Sequence, residues 1–396
     1  MRILHTSDWH LGRSFGPVSL LDHQQQFIDW LVTEVQQRAI DLVVVAGDVF
    51  DRAIAPTEAV VMLREALKRL RGTGAMVAVI TGNHDGADRV ATYDTLLDLS
   101  GVLVRGGYTN VGEVVTLTFA DGPLDLVLLP FLDPQAAPDS LPHPDTDLVS
   151  DEAVADDAFS RLVRRTHESV LRSAIDALGP LPSSRSVAVA HAYVAGGHTS
   201  ESERQLTVGG TGQVPATVFE SFSYTALGHL HRPQWVGDTG TIRYSGTPLA
   251  YSFSEAHAKS VTVVHMDASG GLSTEEVPVP VGRAVHTLEG TMSQLLTHPD
   301  APRIADGWVR AVVTDTEVVH DAKSTLQTVY PHVVEIVMQA AWATSDVDGP
   351  RFAGGRLSPA EAVEQFWEAA TERAPEPAER KVLFAAVEHA SRTVTQ

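Results

Sequence analysis

Four short strings of this chain carry residues able to grip cations: Asp8-Trp9-His10, Gly47-Asp48-Val49-Phe50-Asp51, Gly82-Asn83-His84-Asp85 and Gly228-His229-Leu230-His231. A lone His191 lies between the last two. The 396 residues include no cysteine, so disulfides and thiolate ligands are excluded, and any metal is held by His, Asp, Glu or Asn. There are 17 histidines to draw on. Asp-x-His and His-x-His each place two donors on the same side of an extended backbone, because strand side chains alternate. Asn83 offers a neutral oxygen, and His84 suits a ligand or a proton donor. Taken singly, Asp8 also reads as a helix cap, His10 as an exposed side chain and His191 as a hydrogen-bonded core histidine. Three strand ends bearing the same residue types turn the reading toward metal. The candidate ligands are Asp8, His10, Asp48, Asn83, His191, His229 and His231. Hard and borderline donors around a central carboxylate suit two divalent ions, which can hold both oxygens of a phosphoryl displacement. The mixture of imidazole and carboxylate favours Mn²⁺, with Mg²⁺, Fe²⁺ or Zn²⁺ as alternatives.

Strands have to present these side chains. The run Leu42-Val43-Val44-Val45-Ala46 reads as a strand buried on both faces, and Gly47 lets the backbone turn where it ends. Asp48 therefore sits at a strand's carboxyl end, the edge where open α/β sheets bind ligands. Residues 3–7, 76–80, 124–129 and 186–190 read as further buried strands, and 243–248 and 259–264 as antiparallel ones. Helical spacing predicts helices over 24–39, over 57–70 with Thr57 as its cap, and over 159–178. The first returns the chain through a right-handed crossover, so that Asp8 and Asp48 end neighbouring parallel strands. Residues 133–157, rich in acids and prolines and without Lys or Arg, read as an exposed loop. From 281 to 340 strands alternate with one helix, and 357–390 is helical, its apolar face packing on the chain's own core or docking a partner. The expected architecture is α/β: a β-sandwich flanked by helices over 1–280, a small α+β domain over 281–345 and a helical segment over 355–396.

Hydrophobic residues make up 43% and charged ones 20%, the balance of a soluble globular protein. No apolar run approaches the ~18 residues of a membrane span, and the first residues lack a signal peptide's apolar core, so the expected location is cytoplasmic. A net charge of -21 opposes nonspecific nucleic-acid binding by the chain alone. Work on DNA then requires bound cations, a local arginine patch or a partner.

The ordered strings Asp-x-His, Gly-Asp-x-x-Asp, Gly-Asn-His-Asp, strand-end His and Gly-His-x-His resemble the calcineurin-like metallophosphoesterases over roughly residues 1–265. The opening Met-Arg-Ile-Leu-His-Thr-Ser-Asp-Trp-His-Leu-Gly, with Val-Ala-Gly-Asp-Val-Phe-Asp and Ala-Leu-Gly-His-Leu-His-Arg, is similar to a narrower family, the nuclease subunits of SbcCD-type and Mre-type double-strand-break complexes. That resemblance implies one ion held by Asp8, His10, Asp48 and His231 and another by Asp48, Asn83, His191 and His229, with Asp48 bridging. It implies that His84 stabilises the transition state or protonates the leaving oxygen, and that Asp51 orients His84 through its carboxylate. Asp48→Ala should then lose metal, and Asp51→Ala should keep it while slowing the chemistry. Arg52 is a candidate phosphate contact, with a solvated arginine as the plainer reading. The implied activities are 3'-5' exonuclease action on duplex DNA and endonuclease cutting of hairpins, and the α+β domain would cap the DNA. ATP dependence would come from an SbcC-type ATPase docked on the helical tail, since this chain has no Gly-Lys dipeptide and hence no P-loop. Relatives also homodimerise through helices like those near 57–70 and 92–99, within a heterotetramer. Two further readings stay open: a phosphoesterase for small-molecule or protein phosphoesters, and a metal-stabilised assembly scaffold.

Overall fold

The structure, a computed structural model, describes residues 1–141, 165–203, 212–317, 319–339 and short stretches between 363 and 384. The chain divides into two compact units, Met1–Val313 with Val319–Met338, and Thr314–Val318 with Gln339–Gln396. In the second unit residues 379–384 are helical, as expected. Most of the expected tail helix, much of the 133–157 loop and residues 159–164 lie outside the described residues; the helix expected over 159–178 spans His167–Asp176, because Thr166 is extended and caps it by accepting from Ser169 N.

In the first unit the strand Leu42–Ala46 is buried at every position. Its alternation sends Val43 and Val45 to one core and Leu42, Val44 and Ala46 to another. The first core is shared with Phe27, Leu31 and Val35 of the helix Leu21–Gln37 and with Leu63, Ala66 and Leu70 of Thr57–Gly72. The second lies against Leu126, Leu128, Val187 and Ala226 of a facing sheet. Burial on both faces is why the run is apolar without a break. Its sheet runs, in spatial order, Leu272–Pro278, Ser260–Met266, Arg2–Thr6, Leu42–Ala46, Met76–Ile80 and Val102–Arg105. The last four strands are parallel. The facing sheet runs Gln234–Val236, Ile242–Tyr244, Tyr224–Gly228, Ser186–His191, Gly122–Leu129 and Val114–Phe119. Its outer face packs Val127, Leu129, Ala188 and Ala190 on Val170, Leu171 and Ala174 of the helix His167–Asp176. The layers are therefore helix, sheet, sheet and helix, the expected sandwich.

Two details differ from expectation. Pro56, not Thr57, holds the N-cap position of Thr57–Gly72, with no side-chain hydrogen bond there. Ile242–Tyr244 is antiparallel to Gln234–Val236 but parallel to Tyr224–Gly228, because a tight hairpin folds the strand back onto the buried parallel set.

Past residue 280 a parallel three-stranded sheet, Val285–Gly290, Trp308–Val313 and Val333–Met338, builds its own core from Leu288, Leu295, Val309, Ala311, Leu326 and Tyr330. Three short helices, Met292–Leu296, Ala301–Ile304 and Ala322–Gln327, serve it rather than one. Phe15 stacks on Trp308, joining this sheet to the turns around the site.

His5 is wholly buried between the two large sheets, with Nδ1 2.9 Å from the Tyr224 hydroxyl and Nε2 3.1 Å from the Leu227 carbonyl. Burial pushes its pKa down to about 3. A folded pKa below the unfolded value stabilises the neutral form, so this contribution is complete above pH ~6.5 and is lost as pH falls toward 3. At that limit the loss is roughly 5 kcal/mol. Denaturant midpoints measured across pH 7 to 3 should therefore fall less steeply for His5→Leu than for wild type. Equal slopes would remove His5 from the acid response.

Candidate metal centre

Every candidate ligand lies at or just past the carboxyl end of a buried strand in one of the two sheets. Strand ends from facing sheets converge only where the backbone leaves the extended state sharply. Asp8, His10, Asp48 and His229 all have positive φ (52°, 43°, 47° and 108°), a conformation that L-residues rarely adopt. Such outliers cluster where the surrounding structure holds a strained geometry for function. Gly47, at φ 90°, makes the turn before Asp48, and a Cβ there would overlap the His191 ring. A Cβ at Gly228 would overlap the Ala46 carbonyl oxygen, so only glycine lets the second sheet's strand end approach the first.

These backbone turns overturn one part of the sequence reading. Asp8 and His10 do not share a side of an extended strand, because the strand ends at Thr6. They are grouped by a turn whose amides are tied to the neighbouring loop, Asp8 N to Gly47 O at 3.0 Å and His10 N to Asp48 O at 2.9 Å. Nor do His229 and His231 act as one pair. His229 Nδ1 stands 3.2 Å from Asn83 Oδ1, whereas His231 Nε2 stands 3.3 Å from His10 Nε2. The left-handed backbone at His229 sends the two rings into different halves of the site.

The two halves meet at Asp48. In one, Asp8, His10 and His231 bring ligand atoms within 4.8 Å of one another. In the other, Asn83 Oδ1 lies 2.9 Å from His191 Nε2. Asp48 Oδ2 is 3.7 Å from His10 Nε2 and 3.5 Å from His191 Nε2, and Oδ1 accepts the His84 amide at 2.9 Å. Ligands bound about 2.1 Å from one small cation stand some 3 Å apart at right angles, so these separations suit shared ions. Burial holds the His10, His191 and His229 imidazoles below their ordinary pKa, which keeps their lone pairs available. The Asp8 carboxyl is pushed well up by burial and by the charge of Asp48. Among the described residues neither carboxylate is ion-paired to Lys or Arg, a repulsion that a divalent cation relieves. The donor set thus fits divalent metal, and the His10 Nδ1 nitrogen, buried without a hydrogen-bond partner, belongs to the same cluster.

His84 faces an open cleft of ≈ 390 Å³ lined by Arg13, Ser14, Asp51, Arg52, His84, Ser202 and Glu203. Its Nδ1 donates to the backbone carbonyl of Asp51 at 2.8 Å. Asp51 does hold His84, but not through the carboxylate expected from sequence; that carboxylate turns to Arg13 at 3.3 Å and Arg52 at 3.7 Å. Arg52 lines the cleft and is largely exposed.

Several residues that organise the site carried no role in the sequence reading. Asp85, quoted only as the end of Gly-Asn-His-Asp, accepts three backbone amides, Val49 and Gly82 through one oxygen and Phe50 through the other. It staples the Asp48 and Asn83 loops together, and burial followed by the charge of Asp48 raises its pKa to about 7. Gln24, a polar residue on an apolar helix face, accepts the Gly12 amide and donates to the His10 carbonyl at 2.8 Å. Glu255 and Ser202 stand beside His231 Nδ1 at 3.1 Å and 2.7 Å. A polar residue breaking helix 21–37's apolar stripe was a usable signal for Gln24; nothing local marked Glu255 or Ser202.

A two-sheet sandwich with hard ligands at converging strand ends suits a metal-dependent phosphoesterase, and the family model for calcineurin-like phosphoesterases matches residues 1–202. The chain belongs to that family. Among curated proteins it is similar to the SbcD subunit of the SbcCD nuclease of Bacillus subtilis, 34% identical over 78% of each chain. It is also similar to the SbcD subunit of the Escherichia coli K12 nuclease, 30% identical over 83% of this chain and 81% of that one. A solved dimetal phosphatase from Danio rerio is alike at 12% identity over 70% of this chain and 98% of its own, with a TM-score of 0.32, too slight a likeness to carry any argument. The family match stops before Gly228, yet the fold brings His229 and His231 into the same site. Among the described residues no helix is long and apolar enough to cross a membrane.

Proposed function

We propose that the chain is a metal-dependent DNA nuclease, the catalytic subunit of an SbcCD-type complex in the cytoplasm, cutting duplex ends 3'-5' and opening hairpins in DNA end processing. The observation that carries this reading is Asp48 standing between two groups of buried ligands, joined to relatives similar over about four-fifths of the chain. In this reading one Mn²⁺ is held by Asp8, His10, Asp48 and His231 and a second by Asp48, Asn83, His191 and His229. Bound ions there supply Lewis-acid activation of water and charge neutralisation at phosphorus. The chain's own residues do the rest. The Asp51 carbonyl commits His84 Nδ1, so Nε2 is left to face the leaving sugar oxygen and give it a proton when the ring is protonated. Arg13 and Arg52 are the cations among the cleft's lining residues and take the scissile phosphate's oxygens.

Domain limits of 1–280 for the nuclease, 281–345 for a DNA-capping domain and 355–396 for ATPase docking complete the proposal. A homodimer is supported by apolar side chains left exposed on and beside two helices, Ile54, Val60, Val61, Tyr93, Leu96 and Leu99. The -21 charge agrees with a partner that supplies basic DNA-binding surface.

Incubating the purified chain with a DNA hairpin and Mn²⁺, with and without an SbcC-type ATPase, tests the reading. Cleavage that needs Mn²⁺ and stops with EDTA is expected. No cleavage under either condition, or rapid turnover of a phosphomonoester instead, overturns it.

A further inference from the structure

His231 is held at every polar atom but one. Its amide donates to Glu203 Oε1 at 2.8 Å, and its carbonyl accepts from Thr247 N at 3.1 Å and from His257 Nε2 at 3.2 Å. Nδ1 faces Ser202 Oγ and Glu255 Oε1. Nε2 alone is left to point at His10 across the ligand cluster. Glu255 has no exposed side-chain surface and accepts from Ser202 Oγ, from Thr247 Oγ1 at 2.9 Å and from Lys259 Nζ. Lys259, 9% exposed, also donates to Thr247 Oγ1 at 2.7 Å.

The other half of the centre is backed differently. His191 Nδ1 donates to the neutral Ala46 carbonyl at 2.9 Å, and among the described residues no carboxylate stands behind that ring. A carboxylate that accepts the far N–H of a ligating imidazole fixes its tautomer and raises its basicity, an effect of about 10–100-fold in metal affinity. A buried ion pair is seldom retained for stability, since apolar replacements of similar size are often as stable. The Glu255–Lys259 pair therefore calls for another explanation, and the candidate ligand that Glu255 touches directly is His231, at Nδ1.

We propose that Glu255, locked by Lys259, is a positioning residue that makes the two ion sites unequal. Acting through His231, it makes the ion shared with Asp8 and His10 the more tightly held, so the chain loads its two ions in sequence. This rests on the two-ion reading above.

Calorimetric Mn²⁺ titration of the full chain tests it, comparing wild type, Glu255→Gln, and Glu255→Gln with Lys259→Met. The double variant removes both charges, so no lone lysine is left buried if the single variant fails to fold. Wild type should bind two ions in two resolved steps. The folded variants should lose about 10–100-fold in the tighter step and stay within about threefold in the weaker one. If a folded variant keeps both affinities, or loses both alike, the proposal is overturned and the two-ion reading survives. If wild type binds fewer than two ions, the two-ion reading itself fails.

Discussion

Asp48→Asn is expected to leave the metal-free protein at least as stable as wild type, to remove most of the stabilisation that Mn²⁺ confers, and to slow DNA cleavage by about a thousandfold or more. The carboxylate does two opposed things. Its charge lies close enough to Asp8 and Asp85 to raise both of their pKa values, a repulsion built into the folded state. It is also the carboxylate within 4 Å of both His10 and His191, the position a shared ion requires. Asn keeps an oxygen for the His84 amide, so the loop geometry survives while the charge is removed. Without metal the repulsion is relieved and the melting temperature should hold or rise. With metal, an ion present at a hundred times its Kd stabilises wild type by about 2.7 kcal/mol, and the variant should lose most of that. A thousandfold loss of rate is roughly 4 kcal/mol of transition-state stabilisation, on the scale of the several kcal/mol that a bound metal supplies as a Lewis acid. Melting curves in EDTA and in Mn²⁺ check both signs together. An unchanged Mn²⁺-dependent rise in the variant would take the bridging role away from Asp48.

His84→Ala is expected to keep its metal and lose two to four orders of magnitude in turnover, with KM little altered. His84 lies at the boundary between the buried ligands and the cleft: its ring meets His10 edge-on at 4.8 Å, and it lines the open side. Asp51→Ala should do far less, about tenfold or under, because the group holding His84 is the Asp51 backbone carbonyl, which alanine retains. The residual effect should come from Arg13, which loses its carboxylate partner in the cleft. Single-turnover cleavage at saturating Mn²⁺, paired with a metal count, separates the two variants. Loss of an ion from His84→Ala would make that residue a ligand, a role its distance from His10 and Asp48 also permits.

Much of this protein was legible in its sequence, for a definable reason. A strand covered on both faces is apolar along its length, so Leu42–Ala46, Met76–Ile80 and the Val187–Ala190 stretch of Ser186–His191 announce themselves as unbroken runs. Each ends where a glycine or a polar residue interrupts the run, and the candidate donors collect there because that edge is the open one. The types of the candidate ligands and their strand-end positions therefore followed from local composition alone. Their grouping did not. The alternation rule holds only while the backbone stays extended, and Asp8, His10, Asp48 and His229 have all left that state, so spacing could not tell which donors face each other.

Tertiary structure decided that His231 meets His10, 221 residues away, and that His229 goes instead to Asn83. It decided that a carbonyl and not a carboxylate holds His84, since either atom of Asp51 satisfies the same sequence pattern. It also supplied Asp85, Gln24 and Glu255, whose polar atoms are buried and must be satisfied by whatever the fold brings to them. Sequence by itself determined the chemistry available at the strand ends, because residue type and hydrophobic patterning are local properties. Which atoms share an ion, and what stands behind each ligand, are properties of contacts between distant segments, and those exist only once the two sheets have closed on one another.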